Sequence, residues 1–268
     1  MTANAGNVLA EAAFGADPGR WPLPQATDAT GLWLRAVAAG GQGRYCSARA
    51  DLASLMSRTS PPGLVSLAHS TRASFLRQQG WHRLAHDADG TALACAGGCA
   101  EARTDALVGL AADALGVRRL AVAGVLLARA EQVHAGADSP PPRLAIRLAW
   151  VRAELAMARG QGAEALRHAA RGVELAESAL PRLRRHRVKS DVVLAAALCC
   201  AGDLPASRRV ADAALADTGT HGLVPLRWAL ACLLTDIGSA DHSPGEVAGI
   251  RDRSATFVTR HGGPWNGG

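Results

Sequence analysis

Six glycines divide the chain at similar intervals, and each follows an apolar stretch with helical periodicity. They are separated by 37, 36, 44, 42 and 36 residues. A glycine just beyond a helix can adopt a left-handed backbone conformation that ends the helix without side-chain strain. This spacing therefore predicts a series of helix pairs, with one turn inside each pair. The six turn glycines are Gly43, Gly80, Gly116, Gly160, Gly202 and Gly238.

Small residues stand at two fixed positions around these glycines. Small side chains let the two helices of a hairpin cross at close range. Aromatic residues make up only 4% of the chain, which also favours helix over sheet. We therefore expect close-packed helical hairpins and almost no β-sheet. The small residues are Ala36, Ala73, Gly109, Ala153, Ala195 and Ala231, seven before each glycine, and Ala48, Ala85, Ala121, Ala165, Ser207 and Ser243, five after it.

This pattern resembles the tetratricopeptide repeat. The segment WLRAVAAGGQGRYCSARADLASLM contains the family's Gly-x-Tyr turn at Gly43 and Tyr45, and the segment AWVRAELAMARGQGAEALRHAARGVELA is similarly close. The phrases RASFLRQQG and RHRVKSDVVLAAAL are also similar to uncharacterised actinobacterial helical-repeat proteins. The resemblance covers residues 28–261. It implies an all-α fold, a right-handed α-solenoid of about six tetratricopeptide-like helix pairs.

The domain organisation follows from this pattern. Residues 1–27 contain Gly, Pro and Asp with one short apolar patch, and they predict a flexible N-terminal tail or one loosely docked helix. The repeat domain spans 28–261, and the Gly-rich end at 262–268 predicts a disordered C-terminal tail. The helix pairs are predicted at 28–58, 63–96, 101–135, 143–179, 183–216 and 223–260.

No motif for catalysis or for cofactor binding is present. The GGQG sequence at Gly40–Gly43 lacks the Lys-Ser/Thr of a nucleotide-binding loop, and neither Gly-x-Ser-x-Gly nor His-Glu-x-x-His occurs. We expect a protein that is not an enzyme and uses no cofactor. His82 and His86 could bind zinc together with Cys95 and Cys99. The two pairs are separated by two or more helical turns, so we predict no metal site.

The chain also lacks signals for export or membrane insertion. No basic segment followed by an apolar run is visible at its N-terminus, and its longest apolar stretches are too short to span a membrane. Its six cysteines are scattered through helical patterns, as is typical of small buried side chains in a reducing compartment. We expect a cytoplasmic protein with no membrane partner.

A cluster of basic residues opens the first helix of the fifth pair, with no acidic residue before Asp191. Cations are unfavourable at a helix N-terminus, where free N–H groups prefer an anion. The resemblance implies that first helices line a concave groove, so part of the cluster would face it. Arg147 and Trp150, on the preceding first helix, would lie nearby. The cluster consists of Arg182, Arg184, Arg185, His186, Arg187 and Lys189.

These features favour a protein–protein interaction scaffold that binds an acidic peptide or helix in its groove, and the net charge of +6 fits such a partner. The alternative is a transcription-associated regulator that contacts nucleic acid or a transcription component. A narrow basic pocket with apolar walls would favour the peptide, and a broad basic stripe would favour nucleic acid. The cluster could also be an ordinary solvated face. The groove candidates are Arg147, Trp150, Arg184, Arg185, Arg187 and Lys189.

Consecutive helix residues point in different directions around the helix axis. We therefore expect Lys189 and one or two of the arginines to face the groove and the others to lie on its rim. A cluster whose cations are all paired with Asp or Glu of this chain would be structural only.

Overall fold

The computed structural model describes residues 5–266, and every regular element in that range is an α-helix. The predicted all-α fold is confirmed for those residues, and consecutive helices pack against each other as in a helical solenoid. None of these helices combines the length and apolar character needed to cross a membrane. The helices are α1 (Ala5–Phe14), α2 (Ala29–Gly41), α3 (Tyr45–Met56), α4 (Pro62–Gln78), α5 (His82–Cys95), α6 (Ala100–Gly116), α7 (Leu120–Ala135), α8 (Pro142–Ala158), α9 (Gly162–Ser178), α10 (Arg184–Cys200), α11 (Leu204–Thr220), α12 (Val224–Ile237) and α13 (Pro244–Arg260).

Local sequence sets where several helices begin. Pro142 opens α8 at a position where no backbone N–H is needed. Asp203 caps α11 through its side chain, which accepts a hydrogen bond from a backbone N–H of the first turn. Ser243 and Glu246 form a capping box that starts α13. These caps satisfy N–H groups that have no partner inside the helix.

The turns inside the helix pairs share one geometry. Gly43, Gly80, Gly160 and Gly202 each follow a helix end by two residues and have φ values between 70° and 87°. Gly238 follows α12 directly with a φ of 81°. Five of the six predicted turns are therefore confirmed as positions with positive φ.

The third turn differs from the prediction. Gly116 is still helical, and the positive φ of 61° belongs to Arg118, two residues later. The expectation of a positive φ at Gly116 was wrong, because this glycine serves close packing. A Cβ atom at Gly116 would overlap the ring of His82.

At ten of the twelve predicted positions, the small residue is buried, as expected for a hairpin crossing. The predictions for Ala121 and Ser243 were wrong, since both side chains are exposed. The displaced third turn moves the crossing to Ala123, which is fully buried. Ser243 is exposed because it precedes α13 as its N-cap.

The first and second helices of the pairs contribute differently to the surface. Side chains from the first helix of each pair, α2, α4, α6, α8, α10 and α12, line a central groove. The second helices contribute only His82, at the start of α5. The first helices therefore form the face that lines the groove.

Helix α1 and the segment that follows α13 both contact other helix pairs. Helix α1 buries Leu9, so this part of the predicted tail is a docked helix. The C-terminal segment, predicted as disordered, hydrogen-bonds through Asn266 N to Gln79 O at 2.8 Å and accepts at Pro264 O from Trp81 Nε1 at 2.8 Å. These bonds join the last helix pair to the second. Residues 1–4 and 267–268, which belong to the predicted tails, lie outside the described residues.

Candidate ligand-binding groove

The groove contains a cavity of about 450 Å³, a volume within the range of sites that hold small ligands. Its wall combines aromatic rings with charged groups drawn from several helices. The aromatic residues are Phe14, Trp33, Phe75, Trp150 and Trp228. The cations are Arg77, Arg143, Arg147, Arg185 and Lys189, and the carboxylates are Asp105 and Glu154.

Four rings form a continuous row along one wall. The ring centroid of Phe14 lies 5.3 Å from that of Trp33 and 6.1 Å from that of His186. The rings of His186 and Trp150 stack at 5.4 Å with an angle of 21° between their planes. Residues far apart in the chain therefore build one apolar surface.

Arg143 and Arg147 lie one turn apart on α8 and share the carboxylate of Asp105. Arg143 Nη1 lies 2.9 Å from Asp105 Oδ2, and its Nη2 lies 2.6 Å from Glu101 Oε1. Arg147 Nη1 pairs with the other oxygen of Asp105. Burial lowers the pKa of Arg147 to about 10, and the nearby Arg77 guanidinium adds to this effect. The cations on this wall repel one another.

Arg77 of α4 is paired with two enclosed carboxylates. Its Nη1 lies 3.0 Å from Asp89 Oδ2, and it also pairs with Asp113. Burial raises the pKa of Asp89 to about 7; Arg77 opposes this shift and Asp113 reinforces it. This wall of the groove therefore carries a charge that depends on pH.

Arg185 differs from the other groove cations because no carboxylate of the described residues pairs with it. Its Nη2 donates a hydrogen bond of 3.5 Å to the carbonyl oxygen of Ala13, at the end of α1. Burial lowers the pKa of Arg185 to about 10, and repulsion from Arg143 adds to this effect. A half-buried guanidinium without a counter-ion is a favourable site for a bound anion.

Four of the six groove residues predicted from the sequence lie together in the cavity wall: Arg147, Trp150, Arg185 and Lys189. Lys189 Nζ lies 3.4 Å from Glu154 Oε1 and 6.0 Å from the centroid of the Trp150 ring. The groove thus holds an unpaired cation beside paired ones.

The other two predicted residues, Arg184 and Arg187, do not line the cavity. Arg187 pairs with Asp191 one turn ahead, and its Nη2 lies 3.0 Å from Glu177 Oε1. The backbone N–H of Arg184 donates a hydrogen bond of 3.2 Å to Gly15 O. Their direction follows from helix geometry, because neighbouring residues on α10 point to different sides.

Sequence reasoning missed Phe14, Trp33, Arg77 and Arg143. Arg143 carries a usable signal, since it stands four residues before Arg147 and so shares its helix face. Arg77 lies in the last turn of α4, where a cation interacts favourably with the helix dipole. Its position in the sequence therefore gives no sign of a role in the groove. Phe14 reaches the groove only because α1 docks there, and no periodicity predicts that docking.

The suggested zinc ligands do not form a cluster. No group of three or more His, Cys, Asp and Glu within residues 5–266 is placed to hold a metal ion. His86 is exposed, and Cys95 and Cys99 are free thiols. His82 instead packs against Gly116 beside the groove, and burial lowers its pKa.

The fold and the groove together define an all-α, helical-repeat-like protein with a ligand-sized cavity on its inner face. No protein-family model matches the chain, and no curated protein has a similar sequence.

Proposed function

We propose that this chain is a non-catalytic protein-binding scaffold, built as a right-handed tetratricopeptide-like solenoid of about six helix pairs. Its groove binds an acidic peptide segment. The observation that carries this proposal is Arg185, a half-buried groove cation with no carboxylate partner among the described residues. A ligand carboxylate would give Arg185 the charge-assisted hydrogen bonds that this chain does not supply.

The charges around the cavity support an anionic ligand. Arg147 and Arg185 have pKa values of about 10, lowered by burial and then by neighbouring arginines. An anion bound between them would reduce this repulsion and raise both values. Lys189 and Arg143 line the same cavity, and their positive charges also attract an approaching anionic ligand.

The shape of the groove favours a short extended peptide over a duplex. The cations line a cavity of about 450 Å³ together with five aromatic rings. A nucleic acid duplex presents a row of phosphates and binds best to a broad basic surface. An acidic residue beside apolar ones matches the mixed walls of this cavity.

Fluorescence anisotropy with a panel of labelled peptides tests the proposal. Peptides that contain Asp or Glu next to apolar residues should bind more tightly than matched peptides with Lys. Added salt should weaken this binding, because exposed charges are screened over roughly 8–10 Å. A labelled DNA duplex is measured in the same way. Tighter binding of the duplex than of the acidic peptides would favour the nucleic-acid alternative.

A pair of variants locates the site. Arg185→Glu should abolish peptide binding, because it places a like charge where the carboxylate would bind. Arg182→Glu makes the same charge change at an exposed residue outside the cavity wall and should leave binding nearly unchanged. Equal losses in both variants would contradict binding in the groove.

A further inference from the structure

Three buried polar atoms of residues in the cavity wall have no hydrogen-bond partner among the described residues. They are Oγ of Ser70 and the Nδ1 atoms of His82 and His186, and Ser70 and His186 are only 3% and 4% exposed. Polar atoms in such positions are nearly always paired, since leaving them unpaired is unfavourable. These residues line the same cavity as Arg185, so the wall around that cation includes polar groups that the described residues leave unpaired.

The apolar part of the same wall is held rigidly. The indole N–H of Trp33 donates a hydrogen bond of 3.0 Å to Thr71 Oγ1, and that of Trp150 donates one of 2.9 Å to Ser190 Oγ. These bonds fix both indole rings. A planar ligand ring can therefore stack here without ordering the wall first, which favours binding.

We infer that the cavity is a site for an aryl carboxylate, an aromatic ring joined by a short link to one carboxylate. The carboxylate binds Arg185, and the ring lies against the aromatic row of Phe14, His186 and Trp150. This inference rests on the proposed function and makes it more specific, because it requires an aromatic group next to the negative charge.

The pairing of the groove cations favours a monoanion. Four of these cations already have carboxylate partners, and Arg185 has none among the described residues. One ligand carboxylate would therefore give this unpaired guanidinium its counter-ion. A phosphate dianion would add a second negative charge close to Asp105 and Glu154, which also line the cavity.

Two sources can supply this chemistry: a free aromatic acid, or a peptide whose C-terminal residue is aromatic and keeps its free α-carboxylate. Titration calorimetry with 3-phenylpropionate represents the first source. Pentapeptides that end in phenylalanine, with a free or an amidated C-terminus, represent the second source. Two further probes, 3-phenylpropanamide and hexanoate, lack the charge and the ring respectively.

At least one of the two acids should bind about tenfold or more tightly than its amide, because charge-assisted hydrogen bonds are lost with the charge. Where 3-phenylpropionate is the acid that binds, it should also bind more tightly than hexanoate. Binding of 3-phenylpropionate would identify a free aromatic acid as the source, and binding of the pentapeptide with a free C-terminus would identify a peptide. Equal affinity for acid and amide in both sources would overturn the inference, and so would 3-phenylpropionate that binds no more tightly than hexanoate when the acid pentapeptide also fails to bind.

Variants tie the binding to this wall. Arg185→Met should remove the preference for acid over amide, whereas Arg182→Met should keep it. Thermal melts of each variant show whether it is folded. An acid preference that persists in Arg185→Met would place the site elsewhere and overturn the inference.

The result also separates this inference from the proposed function. If internal acidic peptides bind through Arg185 but neither aryl acid does, the aryl-carboxylate site is wrong and the scaffold proposal stands. If neither internal acidic peptides nor aryl carboxylates bind, the aryl-carboxylate inference and the scaffold proposal are both wrong.

Discussion

Arg77 Nη1 lies 3.0 Å from Asp89 Oδ2, and the Asp89 side chain is completely enclosed. The same guanidinium pairs with Asp113, whose side chain is also enclosed. This wall of the groove thus depends on one cation to balance two carboxylates. Removing that cation is expected to have a larger effect on stability than any other single change in the groove.

Arg77→Met should lower the free energy of unfolding by about 3–5 kcal/mol, because it leaves two buried carboxylates without a cation. Urea denaturation measures the change. Arg72→Met provides the matched control, since Arg72 is exposed on the same helix and makes no ion pair among the described residues. Similar stabilities for the two variants would contradict the role assigned to Arg77.

Asp89 should make stability fall as pH rises from about 4 to about 7. Its pKa is raised from 3.8 to about 7 in the folded protein, so over this interval the folded chain keeps a proton that the unfolded chain has released. Rising pH then favours the unfolded state, with a slope of at most about 1.4 kcal/mol per pH unit. Unfolding measured at several pH values tests this.

Two substitutions on α5 locate the origin of that slope. Asp89→Asn should reduce it, because one of two neighbouring carboxyl groups with raised pKa values is gone. Asp87→Asn should leave it unchanged, since Asp87 is exposed on the same helix. An unchanged slope in Asp89→Asn would show that another group is responsible.

Arg185→Met should leave the free energy of unfolding unchanged or raise it by up to about 1 kcal/mol. The substitution removes a half-buried charge that has no counter-ion and keeps most of the apolar stem. Chemical denaturation, compared with Arg77→Met, measures the contrast. A loss of several kcal/mol would indicate that Arg185 stabilises the fold, and would weaken its assignment as a ligand-binding residue.

Ala153 and Ala165 belong to one buried cluster where α8 crosses α9. Replacing either by Leu should overpack this crossing and lower the free energy of unfolding by roughly 1–3 kcal/mol. Ala170→Leu is the control, because Ala170 is exposed on α9. Melting temperatures equal to that of the unsubstituted protein would show that the crossing lies elsewhere.

Gly263→Ala should lower the free energy of unfolding by roughly 1–3 kcal/mol. A Cβ atom at this buried glycine would stand 2.6 Å from Tyr45 Cδ2 and 2.7 Å from Val258 Cγ1, so packed groups would have to move. Gly245→Ala has open space around its Cβ and should be neutral. Equal stability of the two variants would mean that the C-terminal segment does not pack as described.

The sequence by itself determined the helices and their pairing. Gly43 and Gly80 mark turns because a left-handed backbone at a helix end is a local requirement, readable from one residue and its apolar flanks. Ala153 and Ala165 identify a crossing for a similar reason, since a close approach of two helices needs small side chains there. Gly116 shows the limit of this reading, because its small size serves contact with His82 and not a turn.

Only the tertiary structure decided which charges remain unpaired. Arg184, Arg185 and Arg187 look alike in the sequence, yet Arg187 pairs with Asp191 and only Arg185 lines the cavity. That distinction depends on where the carboxylates of other helices lie, and on the docking of Phe14 from α1. Distances between separate helices set both, and no local pattern encodes those distances. The sequence therefore predicted a groove with basic residues, but it did not predict which of these residues lacks a carboxylate partner.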